Sequence, residues 1–551
     1  MIKVTSRVLQ VSVLAHDKDG NPVTDLKQSD FTLYDDGHPQ PIQFFNVITG
    51  TLPSAPQMDI PSGFYTNDPS RNANVPANVI IILVDALNTP YNEQLYANHQ
   101  LWAYIRKLKP EDHVAIYTLG EKLQILQDFT THDAVLIKAA EAYHGQRVVQ
   151  QDAANPNGSV LTAQGDSTTN PVPLGNPMGT ALPRIAADRS MIEEDLLRIR
   201  HLDEMIAVSY QVDRIDATLN ALRAIAAHVA GIPGRKNLIW LSGSFPLAIG
   251  TDAISEREPD EHVTDVVLRF DAMERTVRAL DDANVAVYPV DTRGLIAPDL
   301  ESPRYLQQSG GGPNGSRDIS DTLMTMDHVA ESTGGEAYYN TNSIERSLTR
   351  ASEDAKSSYI LGYALTMTDG KFHKLKVAVD RKGVLIRARQ GYFAIPAAAY
   401  SFDQQFALVQ DAEESPLDWT GLPLVVQANL TRSATPEISI SIGIYGNRIR
   451  FSTQNQYEVA TVDYAFVQRD DQDHIVKRTG AVYNLRLDTA DYQTAIGKGL
   501  VYKLTSTLDP KAAEVRMIAC DADTGALGSV TIPVAKLSAA TSPPSSVPAP
   551  K

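Results

Sequence analysis

The chain has 551 residues and a mass of 60.1 kDa, with 49 Lys+Arg against 66 Asp+Glu, a formal net charge of −17 and a pI of about 5.2. That length exceeds one ordinary core and predicts about three or four domains, while an acidic balance with no dense basic stripe makes nucleic acid and anionic membrane surfaces poor partners. A single cysteine, Cys520, excludes an intramolecular disulfide and any cysteine-rich zinc or iron–sulfur centre.

The opening MIKVTSRVLQVSV runs directly into strand-like alternation, and no apolar run approaches the roughly 18 residues of a membrane span. The expectation is a cytoplasmic chain or one whose leader has been removed. Residues 8–47 alternate apolar and polar positions and are broken by Asp-Gly-Asn-Pro and Asp-Asp-Gly turns, which predicts antiparallel β structure. Residues 48–77 are rich in Pro, Ser and Asn and read as a linker.

From Asn78 onward, short apolar strands alternate with helical patterns. VIIILVD is followed by a helix from Pro90 to Leu108, then HVAIYTL and KLQILQDF, a helix from Asp133 and another over 214–230. NLIWLSG precedes a helix over 263–283, NVAVYPVD one over 321–332, and EAYYN a last one over 343–355. Such alternation predicts a mostly parallel sheet covered by helices on both faces. A long Gly/Pro/Asn/Thr insertion interrupts it at about 146–212 and ends in a charged helical pattern.

Period-two strands with Asp-Gly and Lys-Gly turns return at 358–394. The two β segments are each too short to fold alone, so the pattern predicts one sandwich, 1–47 with 357–396, holding the α/β unit 78–356 as an insertion. Residues 397–416 read as a second linker, 417–538 as a C-terminal β-sandwich, and 539–551 as a disordered tail.

VIIILVDALNTP, HVAIYTLGEKLQILQDFT, GIPGRKNLIWLSGSFP, NVAVYPVDTRGL and TGGEAYYNTN, in this order, resemble the von Willebrand factor type A (VWA) domain in its acidobacterial VWFA-related variant. The flanking DKDGNPVTDLKQSDFTLYDDGHPQPIQFF and SYILGYALTMTDGKFHKLKVAV resemble the same family, so the likeness covers most of residues 8–394. It implies a doubly wound, Rossmann-like sheet, a periplasmic or secreted setting, and a role in adhesion or protein interaction.

The family's cation site uses Asp-x-Ser-x-Ser after the first strand, a threonine from a later loop and an aspartate after the fourth strand, because Mg²⁺ takes hard oxygen ligands. Carried over, the first aspartate is Asp85, the serine positions are Leu87 and Thr89, Ser242 stands for the second aspartate, and Thr218 or Asp216 supplies the later ligand. Thr130 and Thr131 are lesser substitutes. One hydroxyl and one carboxylate are lost, so the resemblance implies at most a weak Mg²⁺ or Ca²⁺ site on Asp85, Thr89, Thr218 and Ser242.

Plainer readings compete at each position. Thr89 and Pro90 form an N-cap and N1 pair. Asp85 at a strand end accepts backbone N–H groups of the next turn, and Asn88 is an Asx-turn residue or an amide ligand. Ser242 and Ser244 around Gly243 lack the Gly-x-Ser-x-Gly frame and a histidine partner in sequence. Asp291 and Arg293 read as a structural ion pair. Arg235 and Lys236 of PGRK sit near a helix C-terminus, Tyr338 and Tyr339 are sheet packing, and residues 17–25 form a charged β-turn rather than a calcium loop.

The expected function is a non-enzymatic binding protein that meets a protein or surface glycan with Asp85, Asn88, Thr89, Ser242, Ser244, Asp291 and Arg293 at the top of the sheet. A module that self-associates into homo-oligomers through β edges is the alternative, and a serine hydrolase using Ser242 or Ser244 is the third.

Overall fold

The strand Val79–Asp85 is apolar at six consecutive positions and buried on both faces, the pattern of a central parallel strand. It pairs in parallel with His113–Leu119 on one side and Lys236–Ser242 on the other. Val285–Asp291 continues the parallel run, and Leu123–Thr130 closes the opposite edge antiparallel. Helices Tyr91–Ile105, Asp133–Ala142 and Ile344–Glu353 cover one face, around Ile80, Ile82, Leu101 and Leu348. A helix over 209–229, together with His262–Asp282 and Pro313–Thr333, covers the other, around Ile81, Leu83, Leu222 and Trp240. This computed structural model describes residues 8–49, 63–69, 79–109, 112–148, 209–245, 262–295, 313–365, 369, 371–394, 401–431 and 436–539. Most of the 146–212 insertion and the tail beyond 539 lie outside the described residues.

Two four-stranded sheets flank this unit, and each mixes strands from before and after it in the chain. One runs Leu385–Ala388, Val8–His16, Ser357–Ala364, Phe44–Thr49; the other runs Gly391–Phe393, Phe372–Val379, Phe31–Asp35, His38–Gln40. Val11, Val13, Leu33, Tyr359, Leu361 and Tyr363 fill the space between them. Neither end of the chain supplies enough strands for a stable sheet alone, so their pairing also fixes the ends of the α/β unit. Ser12 Oγ donates to Asn284 Oδ1 across that junction at 2.8 Å.

The C-terminal sandwich packs Leu424–Thr431, Glu437–Ile444 and Leu500–Thr507 against Tyr457–Arg469, Glu514–Asp521 and Leu527–Pro533 over a core of Ile440, Ile442, Val462 and Met517. Two expected linkers are structured where they are described. Phe64–Thr66 adds as a strand to Leu424–Thr431, and Asn67 locks it by donating to the carbonyls of Trp419 (2.6 Å) and Leu422 (3.0 Å). Phe402–Glu414 is a helix whose Ser401 and Gln404 form a reciprocal capping box. Buried Arg469 and Arg516 donate to the Ser415 and Ala412 carbonyls at its other end, at 3.1 and 2.8 Å. Composition suggested linkers because the tertiary partners of these segments are far away in sequence.

The expected last strand EAYYN is also corrected. Among the described residues it makes one parallel bridge, Val290 to Tyr338. Gly334 and Asn340, both at positive φ (77° and 54°), turn the chain away on either side.

Candidate functional site

The order of strands along the sheet reverses at Val79–Asp85: the chain leaves it toward His113–Leu119 on one side and returns to Lys236–Ser242 on the other. In open α/β sheets the crevice at the carboxyl ends beside such a reversal is where groups converge. Asp85, Ser242 and Asp291 end the three strands here, in register.

Asp85 is fully buried. Its Oδ1 accepts the Asn88 backbone N–H at 3.0 Å, and its Oδ2 accepts Asn88 Nδ2 at 2.8 Å, Trp240 Nε1 at 2.9 Å and Ser242 Oγ at 3.0 Å. Burial pushes the Asp85 carboxyl above its ordinary range, against the pull of these donors. Asn88 is the hub of the cluster. Its Nδ2 also donates to Thr218 Oγ1 at 2.9 Å, and its Oδ1 accepts Arg214 Nε and Nη2 at 3.1 and 3.0 Å. Thr218 Oγ1 donates in turn to the Arg214 carbonyl at 2.7 Å. The guanidinium, lowered from its usual range by burial and held up by the Asp85 charge, supplies the local positive charge.

Thr89 Oγ1 accepts the Gly243 N–H at 2.9 Å, tying the first loop to the loop after Ser242. It makes no helix cap: the helix begins at Tyr91 with Pro90 in the capping position. The Thr89–Pro90 cap-and-N1 reading is therefore corrected, because the hydroxyl is taken by a loop that sequence distance hides. A Cβ at Gly243 would lie 2.5 Å from Glu93 Oε2, so a side chain there would push the Glu93 carboxylate aside. The single Ser242 hydroxyl proton is shared between Asp85 Oδ2 and the Ser244 carbonyl, which lies 2.6 Å from Oγ. Asp291 is gripped by Arg293, with Nε to Oδ1 at 2.9 Å, Nη2 to Oδ2 at 2.7 Å and the Arg293 backbone N–H to Oδ1 at 2.9 Å.

Asp85, Asn88, Thr89, Thr218 and Ser242 thus belong to one network, with Ser244 at its margin and Asp291–Arg293 beside it as a closed pair. Asp216 is exposed on its helix. Thr130 pairs with Val114, at the end of the sheet away from Asp85, and its hydroxyl accepts the His132 N–H at 3.1 Å. Thr130 and Thr131 therefore lie outside the site.

The ligand set Asp85, Thr89, Thr218 and Ser242 does not fit Mg²⁺ or Ca²⁺ in this arrangement. A carboxylate offers about four lone-pair sites, and Asp85 spends its oxygens on four donors. The Thr89 and Thr218 hydroxyls likewise face protein N–H groups, where a hard cation needs free oxygen lone pairs. Ser242 and Ser244 have no histidine among their hydrogen-bond partners in the described residues, and Ser242 meets a carboxylate directly.

Two members of the network escaped the sequence reading. Arg214 lies four residues before Thr218, one turn away on the same helix face; Trp240 lies two residues before Ser242, on the same strand face. The periodicity signals were there, but neither residue type belongs to a cation site.

Outside the polar cluster, the crest is apolar and exposed. Leu295 is 63% accessible and its N–H donates to Asn342 Oδ1 at 3.0 Å, while Tyr96, 37% accessible, donates its hydroxyl to the Asn342 carbonyl at 2.6 Å. Asn342 thereby ties the Leu295 backbone to the Tyr96 hydroxyl, and exposed Tyr91 and Leu95 lie on the same helix as Tyr96.

No protein-family model and no curated protein matches the chain. Among solved structures it is similar to the human COPII-coat protein Sec24c (11% identity, TM-score 0.22, 64% of this chain and 48% of that one). It is also similar to the pilus adhesin SpaC of Lactobacillus rhamnosus GG (10% identity, TM-score 0.26, 94% of this chain and 61% of that one). A third likeness is to the N-terminal domains of the type V pili tip protein Mfa5 of Porphyromonas gingivalis (9% identity, TM-score 0.24, 90% of this chain and 77% of that one). The chain spans about half the length of Sec24c and three fifths of SpaC. At these scores the likenesses decide neither fold nor function. Among the described residues no helix is long and apolar enough to cross a membrane.

Proposed function

We propose that this chain is a non-enzymatic, adhesion-type binding protein built on a VWA-like α/β unit whose cation position is filled from within. The observation that carries the reading is the Asp85–Asn88–Arg214 network at the switch point of the sheet. Arg214 donates to Asn88 and Asn88 to Asp85, so the carboxylate that the resembled family turns to a cation is here engaged by protein donors. Recognition then falls to the exposed crest of Leu295, Tyr96, Leu95 and Tyr91, where aromatic and aliphatic side chains offer contact area at small entropic cost. A protein or surface glycan in an extracytoplasmic setting is the partner this reading expects.

The test is binding of beads coated with the full chain to a panel of matrix proteins and surface glycans, with and without EDTA. Saturable binding that ignores EDTA and weakens at least tenfold in Leu295→Asp/Tyr96→Ala supports the proposal. Binding to no member of the panel, or binding abolished by EDTA, would sink it.

One observation favours the self-association reading. Among the described residues, the 13-residue strand Ile475–Leu487 pairs only with Tyr457–Arg469, and it carries Val482 (58% accessible) and Tyr483 (40%). Concentration-dependent mass in light scattering that Val482→Lys abolishes would support a homo-oligomer; a concentration-independent monomer mass would remove this reading.

A further inference from the structure

The flanking sandwich holds a second polar cluster that the crest does not use. Asp35 ends the strand Phe31–Asp35, Asp36 and Gly37 turn the chain at positive φ (46° and 81°), and His373 stands on the paired strand Phe372–Val379. Asp35, Asp36 and His373 offer ligand atoms that all lie within 4.8 Å of one another. His373 Nδ1 is 3.0 Å from Asp35 Oδ1 and 3.4 Å from Asp36 Oδ2.

Each of the three is held from behind. His373 Nε2 faces Asp369 Oδ1 at 3.1 Å, the carboxylate–histidine arrangement that fixes the ring and tautomer of a metal-binding imidazole. Asp35 Oδ2 accepts the hydroxyls of Tyr363 and Tyr392 at 2.8 and 2.9 Å, leaving Oδ1 toward His373. Asp36 Oδ1 accepts the Lys374 N–H at 2.8 Å, leaving Oδ2 toward the same point. A tetrahedral ion with bonds of about 2.0–2.1 Å has ligand–ligand edges of about 3.3 Å, and the two nitrogen–oxygen separations of 3.0 and 3.4 Å bracket that edge.

We propose that Asp35, Asp36 and His373 bind one Zn²⁺ ion, with solvent in the fourth position and Asp369, Tyr363 and Tyr392 orienting the ligands. One nitrogen and two carboxylates form a borderline donor set that suits Zn²⁺ better than Ca²⁺ or Mg²⁺. The imidazole is buried, while the Asp36 and Asp369 side chains are 50% and 39% accessible, so the ion enters from solvent. Bound there, it joins residues 338 positions apart and clamps the N-terminal hairpin to the returning strand. The charged groups around the imidazole are Asp35 and Asp36 from one strand and turn, and Asp369 with Lys371 from the approach to its own strand.

The test is calorimetric titration of Zn²⁺ into the chelator-stripped full chain near neutral pH, with thermal melts alongside. Expected are one equivalent bound, a raised Tm, and at least tenfold weaker binding in Asp36→Asn. Asparagine tolerates the left-handed turn, so that variant keeps its fold even where His373→Gln does not. Co²⁺ in place of Zn²⁺ is expected to show the visible bands of a four-coordinate site. Absence of saturable heat, or Asp36→Asn binding like wild type, would overturn the proposal.

Discussion

Arg214 holds the side-chain oxygen of Asn88 in a two-pronged grip, Nε at 3.1 Å and Nη2 at 3.0 Å, across 126 residues of chain. The grip orients the Asn88 amide so that its Nδ2 meets Asp85 and Thr218. Arg214→Ala is expected to cost about 1.5–3 kcal/mol, the range for hydrogen bonds to charged groups, read as a lower urea midpoint. Mg²⁺ and Ca²⁺ are expected to leave the Tm of the Asp36→Asn variant unchanged. A cation-dependent rise there that Asp85→Ala removes would contradict the reading that protein donors occupy Asp85.

Asp354 joins the α/β unit to its flanking sandwich. It accepts Arg387 Nη2 at 2.8 Å, Tyr288 Oη–H at 2.9 Å and faces His16 Nε2 at 3.2 Å, with its side chain 6% accessible. Asp354→Asn removes one of the two carboxylates around Arg387, the other being Glu336 at 3.0 Å, and is expected to cost about 1.5–3 kcal/mol, the range for hydrogen bonds to charged groups. Burial raises the Asp354 carboxyl, but His16, Arg387 and Arg235 together hold it below 3.8. Its contribution is therefore complete above 3.8 and lost as pH falls through the lower folded value. Urea titrations below pH 4 should show a shallower acid loss in Asp354→Asn than in wild type; equal slopes would refute this assignment.

Lys236 is buried at the head of its strand, and its Nζ donates to the Ile232 carbonyl at 2.7 Å. Burial pulls it from 10.5 down to about 7. The unfolded chain then binds more protons between those values, so stability rises with pH across about 7 to 10, by up to about 1.4 kcal/mol per pH unit. Lys236→Met should remove that component from the wild-type pH–stability curve. A variant with the same slope as wild type would show that Lys236 does not titrate there.

Gly335 passes against the Val285–Asp291 strand so closely that a Cβ would lie 1.8 Å from the Val287 carbonyl oxygen. Backbone cannot yield as a flexible side chain does. Gly335→Ala is expected to cost at least about 3 kcal/mol, seen as a fall in Tm and in soluble yield. An unchanged Tm would show that the Tyr338 bridge is dispensable.

The elements themselves were legible in the chain because their signals are local. Six consecutive apolar residues before Asp85, and three-four spacing around Leu219, Leu222 and Val229, report burial through backbone periods that need no tertiary information. EAYYN and residues 64–66 and 402–414 were misread for the complementary reason. A strand is completed by its partner, and a helix in a mixed-composition stretch by its caps and by Arg469 and Arg516 more than 50 residues away.

The site divides along the same line. Sequence alone placed Asp85, Ser242 and Asp291 at the ends of buried strands, because strand termination and burial are properties of a few neighbouring residues. Whether Asp85 faces a cation or protein donors was decided only when the fold brought Trp240 from 155 residues away and Arg214 onto Asn88. A carboxylate has few lone pairs, and their occupants are chosen by three-dimensional proximity, which no periodicity in the chain encodes.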